Sequence, residues 1–146
     1  MKIYVASSWR NHYQEDIVAI LRNANHEVYD FKNPSIDNHG FKWAEIDENW
    51  QSWDNKKYIN NLNHPIANNG FKSDFDAMKW ADACVFVLPS GRSAHIEAGY
   101  FIGSNKPLII YIPENVEPEL MYKMTNYIYS SIKEILSLLK DLENIV

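Results

Sequence analysis

The sequence predicts an α/β protein built on a parallel sheet with helices on both faces. Short strand-like segments alternate along the chain with helical segments, which is typical of parallel α/β folds. Two of the strand segments, residues 84–88 and 107–112, are almost entirely apolar, as expected of strands that are covered on both sides. The length of 146 residues is that of one domain, so we expect a single domain over residues 1–146.

The chain opens with a predicted β-α-β unit. Lys2–Ala6 has the character of a buried strand, and residues 27–31 have the character of a second one. Between them, Ile17 and Leu21 belong to a set of apolar residues at helical spacing, which predicts a helix over 11–25. A unit of this length implies two parallel strands joined by a right-handed crossover.

Residues 32–70 differ from the rest of the chain and are expected to form a Trp-rich helical insertion in the single domain. The aromatic spacing of Trp43, Trp50 and Trp53 predicts one helix with an aromatic face, and a second short helix is expected around residues 56–67. Such an aromatic set forms a small local core more often than a base-stacking platform. An insertion of this kind can also cover a pocket, so both interpretations stay open.

The second half of the chain supplies the other three of the five expected strands. The last helix begins with Ser131 and Glu134 at the spacing of a capping box. The predicted elements are, in order, a helix at 73–81, a strand at 84–88, a helix at 94–103, a strand at 107–112, a helix at 117–126, a strand at 127–129 and a helix from 131 onward.

Composition excludes several classes of function. The net charge of -5 argues against binding to nucleic acid polymers or to anionic membranes. The single cysteine, Cys84, fits a reducing compartment, and the early polar residues argue against a secretory signal, so we expect a cytoplasmic protein. No apolar run is long enough to cross a bilayer. The five histidines lack metal-ligand spacing, so no metal site is expected.

Two polar loops, residues 7–11 and 90–93, follow predicted strands, and ligands of parallel sheets bind at such strand ends. Each loop combines serine with arginine and precedes a helix, which is the chemistry of a phosphate or carboxylate site. Ordinary loop solubility explains the same residues equally well. The glycine fingerprints of dinucleotide sites and P-loops are absent. The candidate anion ligands are Ser8, Arg10, Arg92 and Ser93.

Acidic residues are the candidates for chemistry. Glu97 lies about one turn into a helix among small neighbours and can act as a nucleophile, although it can also be an acid favoured by the helix dipole. Asp74 and Asp76 can be a helix cap and a solvated acid, or one of them can assist Glu97, since paired carboxylates cleave glycosidic bonds. His95 can line a pocket or simply pack on the surface.

In this ordered combination of motifs the chain resembles the nucleoside 2-deoxyribosyltransferase superfamily, including its 2'-deoxynucleoside 5'-phosphate N-hydrolases. The matching residues are 3–6, Ser8, Arg10, 73–74, 84–88, 93–99 and 106–107. The resemblance implies a Rossmann-like or flavodoxin-like three-layer fold, a small nucleoside or nucleotide as substrate, and no metal or cofactor. It also implies that Glu97 attacks C1', that Asp74 assists departure of the base, and that Tyr4 positions the nucleophile.

The resemblance implies further binding residues. Ser8 and Arg10 match a loop that holds a 5'-phosphate. Gly91 stands where the transferase branch has aspartate, which favours a phosphorylated substrate with Arg92 and Ser93 as added ligands. Members of the family are usually dimers or larger, so we expect a homodimer or higher homo-oligomer. The remaining candidates are His95 and Trp43 for the substrate and Met121, Met124 and Asn126 for a contribution from a neighbouring subunit.

The expected function is therefore cleavage of the N-glycosidic bond of a (deoxy)nucleoside or its 5'-monophosphate. Hydrolysis is the first expectation and base exchange the second. Two alternatives stay open: an NAD glycohydrolase-type activity in a conflict system, since NAD also contains a glycosidic bond, and a non-catalytic nucleotide sensor. The sensor is disfavoured because binding alone requires neither Asp74 nor Glu97.

Overall fold

The computed structural model describes residues 1–145, and it contains a five-stranded parallel sheet, as predicted. The order of the strands is β2-β1-β3-β4-β5, which is the order of flavodoxin-like folds. From β1 the chain adds β2 on one side of the sheet and then returns to add β3, β4 and β5 on the other side. The crevice of such a sheet lies at this switch point, between β1 and β3. The strands are β1 (Lys2–Ala6), β2 (Glu27–Tyr29), β3 (Ala83–Val87), β4 (Leu108–Tyr111) and β5 (Tyr127–Tyr129).

Helices alternate with these strands and also occupy the region between β2 and β3. The α-helices are α1 (Gln14–Asn23), α2 (Asn55–Asn61), α3 (Pro65–Trp80), α4 (Arg92–Gly103) and α5 (Ile132–Ile145). Short 3-10 helices lie at Trp43–Glu45, Trp50–Ser52 and Leu120–Met124.

The chain forms two compact units. The first, which we call the sheet unit, consists of Met1–Asp30 and the chain from Trp80 onward, and it contains all five strands. The second, which we call the helical unit, is Phe31–Lys79. The helical unit begins where the sequence predicts the insertion, but it continues to Lys79 because α3 is one uninterrupted helix through the predicted end at residue 70.

Helices cover both faces of the sheet, as predicted. Alternate residues of β1 and β3 pack on one face against α1 and α5, where Leu21, Ile135 and Leu139 are fully buried. On the opposite face, the ring of Tyr4 in β1 lies 5.7 Å from the ring of Phe101 in α4. The sheet therefore separates an aliphatic layer from a layer that contains α4 and Tyr4.

Four of the predicted helices are wrong in extent or kind. Instead of one aromatic helix, the insertion has two 3-10 turns, at Trp43–Glu45 and Trp50–Ser52. The helix expected around 56–67 is split between α2 and α3, because Pro65 disfavours a helical residue before it and begins a new helix itself. This new helix absorbs the one predicted at 73–81.

The helix predicted over 117–126 is also wrong, since only the 3-10 helix Leu120–Met124 forms. This 3-10 helix ends at Met124 because Thr125 forms hydrogen bonds with neighbouring segments. The Thr125 hydroxyl donates to the Leu108 carbonyl at 2.6 Å and accepts from the Tyr127 backbone amide at 3.1 Å. These bonds hold Thr125 in extended backbone and lead the chain directly into β5.

The helical unit has its own aromatic core. The indole ring of Trp43 lies edge to face with Phe41, Trp53 and Tyr58, at centroid distances of 4.7, 5.7 and 5.9 Å. Phe41 also packs directly on α3 at Gly70, where an added Cβ would lie 2.8 Å from the Cβ of Phe41. A glycine inside a helix weakens it, and here that cost is offset by this close contact.

We predict that Gly70→Ala destabilises the protein by about 1–3 kcal/mol, because the new methyl collides with the base of the Phe41 side chain. Gly99→Ala in α4 is the matched control, since a methyl group added at Gly99 would meet nothing within 4 Å. The control is expected to stabilise by up to about 1 kcal/mol through helix propensity. Urea unfolding followed by tryptophan fluorescence measures both, and a stabilised Gly70→Ala protein contradicts the prediction.

Candidate active site

Asn11 joins the two loops at the carboxyl ends of β1 and β3. Its side chain is 3% exposed, and its Nδ2 donates to the carbonyls of Val87 and Pro89 at 3.2 and 3.0 Å. Its Oδ1 accepts from the backbone amides of Tyr13 and Gln14 at 2.8 and 3.0 Å. One side chain therefore caps the start of α1 and holds the loop after β3.

Serine hydroxyls add further bonds between the same loops. Ser7 and Ser90 both donate to the Val87 carbonyl, at 3.0 and 2.8 Å, and their two hydroxyl oxygens lie 3.3 Å apart. The Ser8 hydroxyl accepts a short hydrogen bond from the Gly91 amide. The two polar loops that the sequence places at strand ends are thus brought together in the sheet unit.

The candidate anion ligands lie at this junction. Arg10 follows Ser8 on the first loop, while Arg92 and Ser93 form the first turn of α4 after the second loop. All three of these side chains are exposed. The Gly91 amide is already engaged by Ser8, so it does not serve as an added anion donor. The Ser8 hydroxyl accepts that bond, so its own proton stays available to an acceptor.

Glu97 lies in the second turn of α4, not in the first turn where the helix dipole is strongest. It is half-buried, and the neighbours Ala94 and Ala98 on its face of the helix are small and buried. Burial raises the pKa of the Cys84 thiol well above its usual range, and the nearby charge of Glu97 raises it further. Cys84 is the register partner of Tyr4, so Glu97 belongs to the layer that also contains Tyr4.

His95 is held on both sides. Its Nδ1 lies 2.7 Å from the Gly91 carbonyl, and its Nε2 lies 2.9 Å from the Tyr122 hydroxyl. A carbonyl can only accept, so Nδ1 carries the proton and, in the neutral ring, Nε2 accepts from Tyr122. Burial and the charge of Glu119 raise the pKa of Tyr122, which keeps this donor protonated. His95 thereby joins α4 to the 3-10 helix Leu120–Met124.

Met121, Met124 and Asn126, the candidates for a contribution in trans, lie in or just after that 3-10 helix. The two methionine side chains are 62% and 53% exposed, and Asn126 is exposed as well. Ile96 on α4 is also exposed. The sheet unit therefore presents several apolar side chains to solvent near the His95–Tyr122 pair.

Asp74 lies in the helical unit, on the wall of a cavity of about 370 Å³. It stands in the middle of α3, so the interpretation of Asp74 as a helix cap is wrong. One face of α3 forms one side of the cavity, and the segment between residues 34 and 45 forms the other. Asp76 instead points to solvent, where Lys72 and Lys79 pair with it and lower the pKa of its carboxyl.

Trp43 is the centre of the aromatic core of the helical unit and does not line this cavity, whereas Phe41 does. Within residues 1–145, no group of three or more histidine, cysteine or acidic side chains is arranged to hold a metal ion. No helix among the described residues is long and apolar enough to cross a membrane.

Sequence reasoning missed three residues that the structure makes prominent: Asn11, Glu45 and Asn69. Asn11 carried a usable signal, since asparagine before a helix is a common cap. The other two carried none, because their roles arise from contacts between segments that are distant in the chain. Glu45 and Asn69 line the cavity together with Asp74.

Comparison with known proteins confirms the expected fold. No protein family matches the chain by sequence, and no curated protein matches it. A 2-deoxyribosyltransferase from Bacillus psychrosaccharolyticus superimposes with a TM-score of 0.64 at 19% identity, over 93% of this chain and 90% of that chain. CMP N-glycosidase BcmB from Clostridium botulinum matches with a TM-score of 0.49 at 19% identity, over 96% and 99% of the two chains.

We predict that Asn11→Ala destabilises the protein by about 2–4 kcal/mol, because it removes the acceptor at the start of α1 and leaves the Pro89 carbonyl without its donor. Asn23→Ala, at an exposed position of the same helix, is the matched control and is expected to change stability by less than about 0.5 kcal/mol. Equal effects of the two substitutions on urea unfolding would contradict the role assigned to Asn11.

Proposed function

We propose that this protein cleaves the N-glycosidic bond of a nucleoside or nucleoside 5'-monophosphate, with Glu97 as the nucleophile. The observation that carries the proposal is a half-buried carboxylate on the helix that follows β3, beside the crevice of the sheet. This carboxylate stands in a fold shared with a 2-deoxyribosyltransferase. Crevices at this position are where parallel sheets of this topology bind their ligands.

The proposed reaction has two steps. A Glu97 oxygen forms a bond to C1' of the sugar while the bond from C1' to the base nitrogen breaks, and Asp74 delivers a proton to the departing base. Water, or a second base, then attacks C1' and releases the Glu97 carboxylate. The charges balance, since the proton lost by the attacking water or base returns Asp74 to its acid form.

The surroundings of Glu97 suit this role. Its partial burial reduces the hydration that a carboxylate must lose before it attacks carbon. The raised pKa of Cys84 keeps that neighbouring thiol protonated, so it does not compete as a nucleophile. Tyr4, in the same layer, is the proposed positioning residue.

A 5'-phosphate is proposed to bind at the junction of the two loops. Ser8 can donate its hydroxyl proton. Arg10 on the same loop is exposed, and so are Arg92 and Ser93, which directly follow the Gly91 amide that binds Ser8. A single small phosphate needs only these local donors, so the overall charge of -5 does not oppose it. His95 and Trp43 retain at most indirect roles in this proposal, because the protein itself occupies their polar atoms or faces.

We also propose that the protein works as a homo-oligomer in the cytoplasm. The exposed Met121 and Met124, with Ile96, are the side chains that support an association surface on the sheet unit. One buried thiol, Cys84, is what supports a reducing compartment.

We expect Glu97→Gln to lower release of free base by at least about 10³-fold, because the amide cannot form the glycosyl-enzyme bond. The measurement is chromatography of free base from a panel of ribo- and deoxyribonucleosides, their 5'-monophosphates and NAD. Glu134→Gln, at an exposed position of α5, is the control and should retain full activity. An active Glu97→Gln enzyme, or a wild-type protein that releases no base from any substrate, refutes the proposal.

Asp74→Asn is expected to lower the rate by about 10²–10⁴-fold with ordinary substrates, because the base then leaves without a proton. An N7-methylated purine nucleoside separates this role from a structural one, since its base departs neutral without protonation. With that substrate the rate should fall by less than about tenfold. Equal losses with both kinds of substrate would show that Asp74 does not act as the acid.

A further inference from the structure

The cavity of the helical unit has the size and chemistry of a small-molecule site. Its volume of about 370 Å³ falls in the range of about 300–1,000 Å³ that ligand pockets occupy. Ile66, Asn69, Gly70, Ser73 and Asp74 stand at helical spacing, so they form one stripe of α3 along the cavity. Phe41 adds an aromatic surface, and aromatic rings favour stacking with nucleobases.

Five polar side chains line the cavity, and of its two acids Glu45 is the one that the proposed reaction does not use as a proton donor. Two of its side chains are carboxylates, Glu45 and Asp74, and none is lysine, arginine or histidine. The Glu45 Oε2 accepts one long bond from the Lys42 amide at 3.4 Å, which leaves its other oxygen for a ligand. Asn69 is exposed, and its side-chain amide has no hydrogen-bond partner within residues 1–145.

This arrangement discriminates between bases by the group that they present. A carboxylate accepts a hydrogen bond from the exocyclic amino group of cytosine, and an asparagine amide pairs with the amino group and ring nitrogen of adenine. A carbonyl facing the Glu45 carboxylate, as in uracil or hypoxanthine, would set two acceptors against each other, whereas the Asn69 amide carries both a donor and an acceptor and orients the base. The pair would lose a bond and leave a desolvated carboxylate without a donor.

We propose that Glu45 and Asn69 select a substrate whose base carries an exocyclic amino group, over the base with a carbonyl at that position. The inference rests on the proposed function for its catalytic consequence. Phe41 stacks on the plane of the base, and Gly70 allows Phe41 to stand close to α3. This assigns substrate selection to the inserted helical unit.

Matched pairs of substrates test the inference, because the members of a pair differ only in the amino or carbonyl group and in the hydrogen on the adjacent ring nitrogen. Cytidine and uridine form one pair, and adenosine and inosine form the other, each as ribo- and deoxyribonucleoside 5'-monophosphates. We expect kcat/KM to favour the amino member of at least one pair by about 10–100-fold. If, in both pairs, the wild-type enzyme cleaves the two members equally or prefers the carbonyl member, the inference is overturned and the proposed function stays intact.

Two variants locate the preference. Glu45→Gln supplies an amide that can donate to a carbonyl, so the preference should fall to about one, and Asn69→Ala, at an exposed helical position, should lower it as well. Glu48→Gln carries the same change at an exposed position that does not line the cavity, and it should keep the wild-type preference. An unchanged preference in folded Glu45→Gln and Asn69→Ala proteins overturns the assignment.

Binding separates this inference from the proposed function. Calorimetric titration of the Glu97→Gln protein with each matched pair measures discrimination without turnover. If no base is released by wild type but the amino member binds about tenfold or more tightly in a Glu45-dependent way, the proposed function fails and the inference holds. If neither turnover nor binding distinguishes the members of either pair, the inference fails.

Discussion

The buried side chain of Asn11 is the interaction on which the functional edge of the sheet unit depends. Its amide spans the loops after β1 and β3, and its carbonyl begins α1. Buried amides that satisfy both ends in this way hold their partners in one arrangement, because any displacement leaves polar groups without bonds in an apolar setting. Ser8 and Gly91 then meet across the same junction, and α4 starts immediately after it with a defined direction.

That direction decides the environment of Glu97. Because α4 starts at Arg92, its buried stripe is Ala94, Ala98 and Phe101, and Glu97 comes at the margin of that stripe. The link from His95 to Tyr122 fixes the same helix from its outer side. The result is a carboxylate that is partly withdrawn from water and held on a helix, which suits the role of nucleophile proposed for it.

The helical unit divides its aromatic and polar residues between two tasks. Trp43, Trp53 and Tyr58 pack edge to face and build a core for a segment of few regular elements. The cavity draws instead on α3 and on the loop that carries Phe41 and Glu45. The tryptophans thus belong to the core of the unit, while Glu45, Asn69 and Asp74 stand on the walls of the cavity.

Local sequence determined the parallel sheet, its five strands and the position of Glu97 after β3, since apolar strand runs and helical periodicity are properties of neighbouring residues. The same local information placed both polar loops at strand ends. Helix propensity alone gave the wrong bounds at 56–67 and 117–126. Pro65 divides the first of these helices in two, and the hydrogen bonds of Thr125 end the second early. Tertiary structure alone decided the bonds of Asn11 to the Val87 and Pro89 carbonyls, the pairing of His95 with Tyr122, and the grouping of Glu45 with Asn69 and Asp74. Each of these depends on residues far apart in the chain, and which of them meet is settled only when the segments pack.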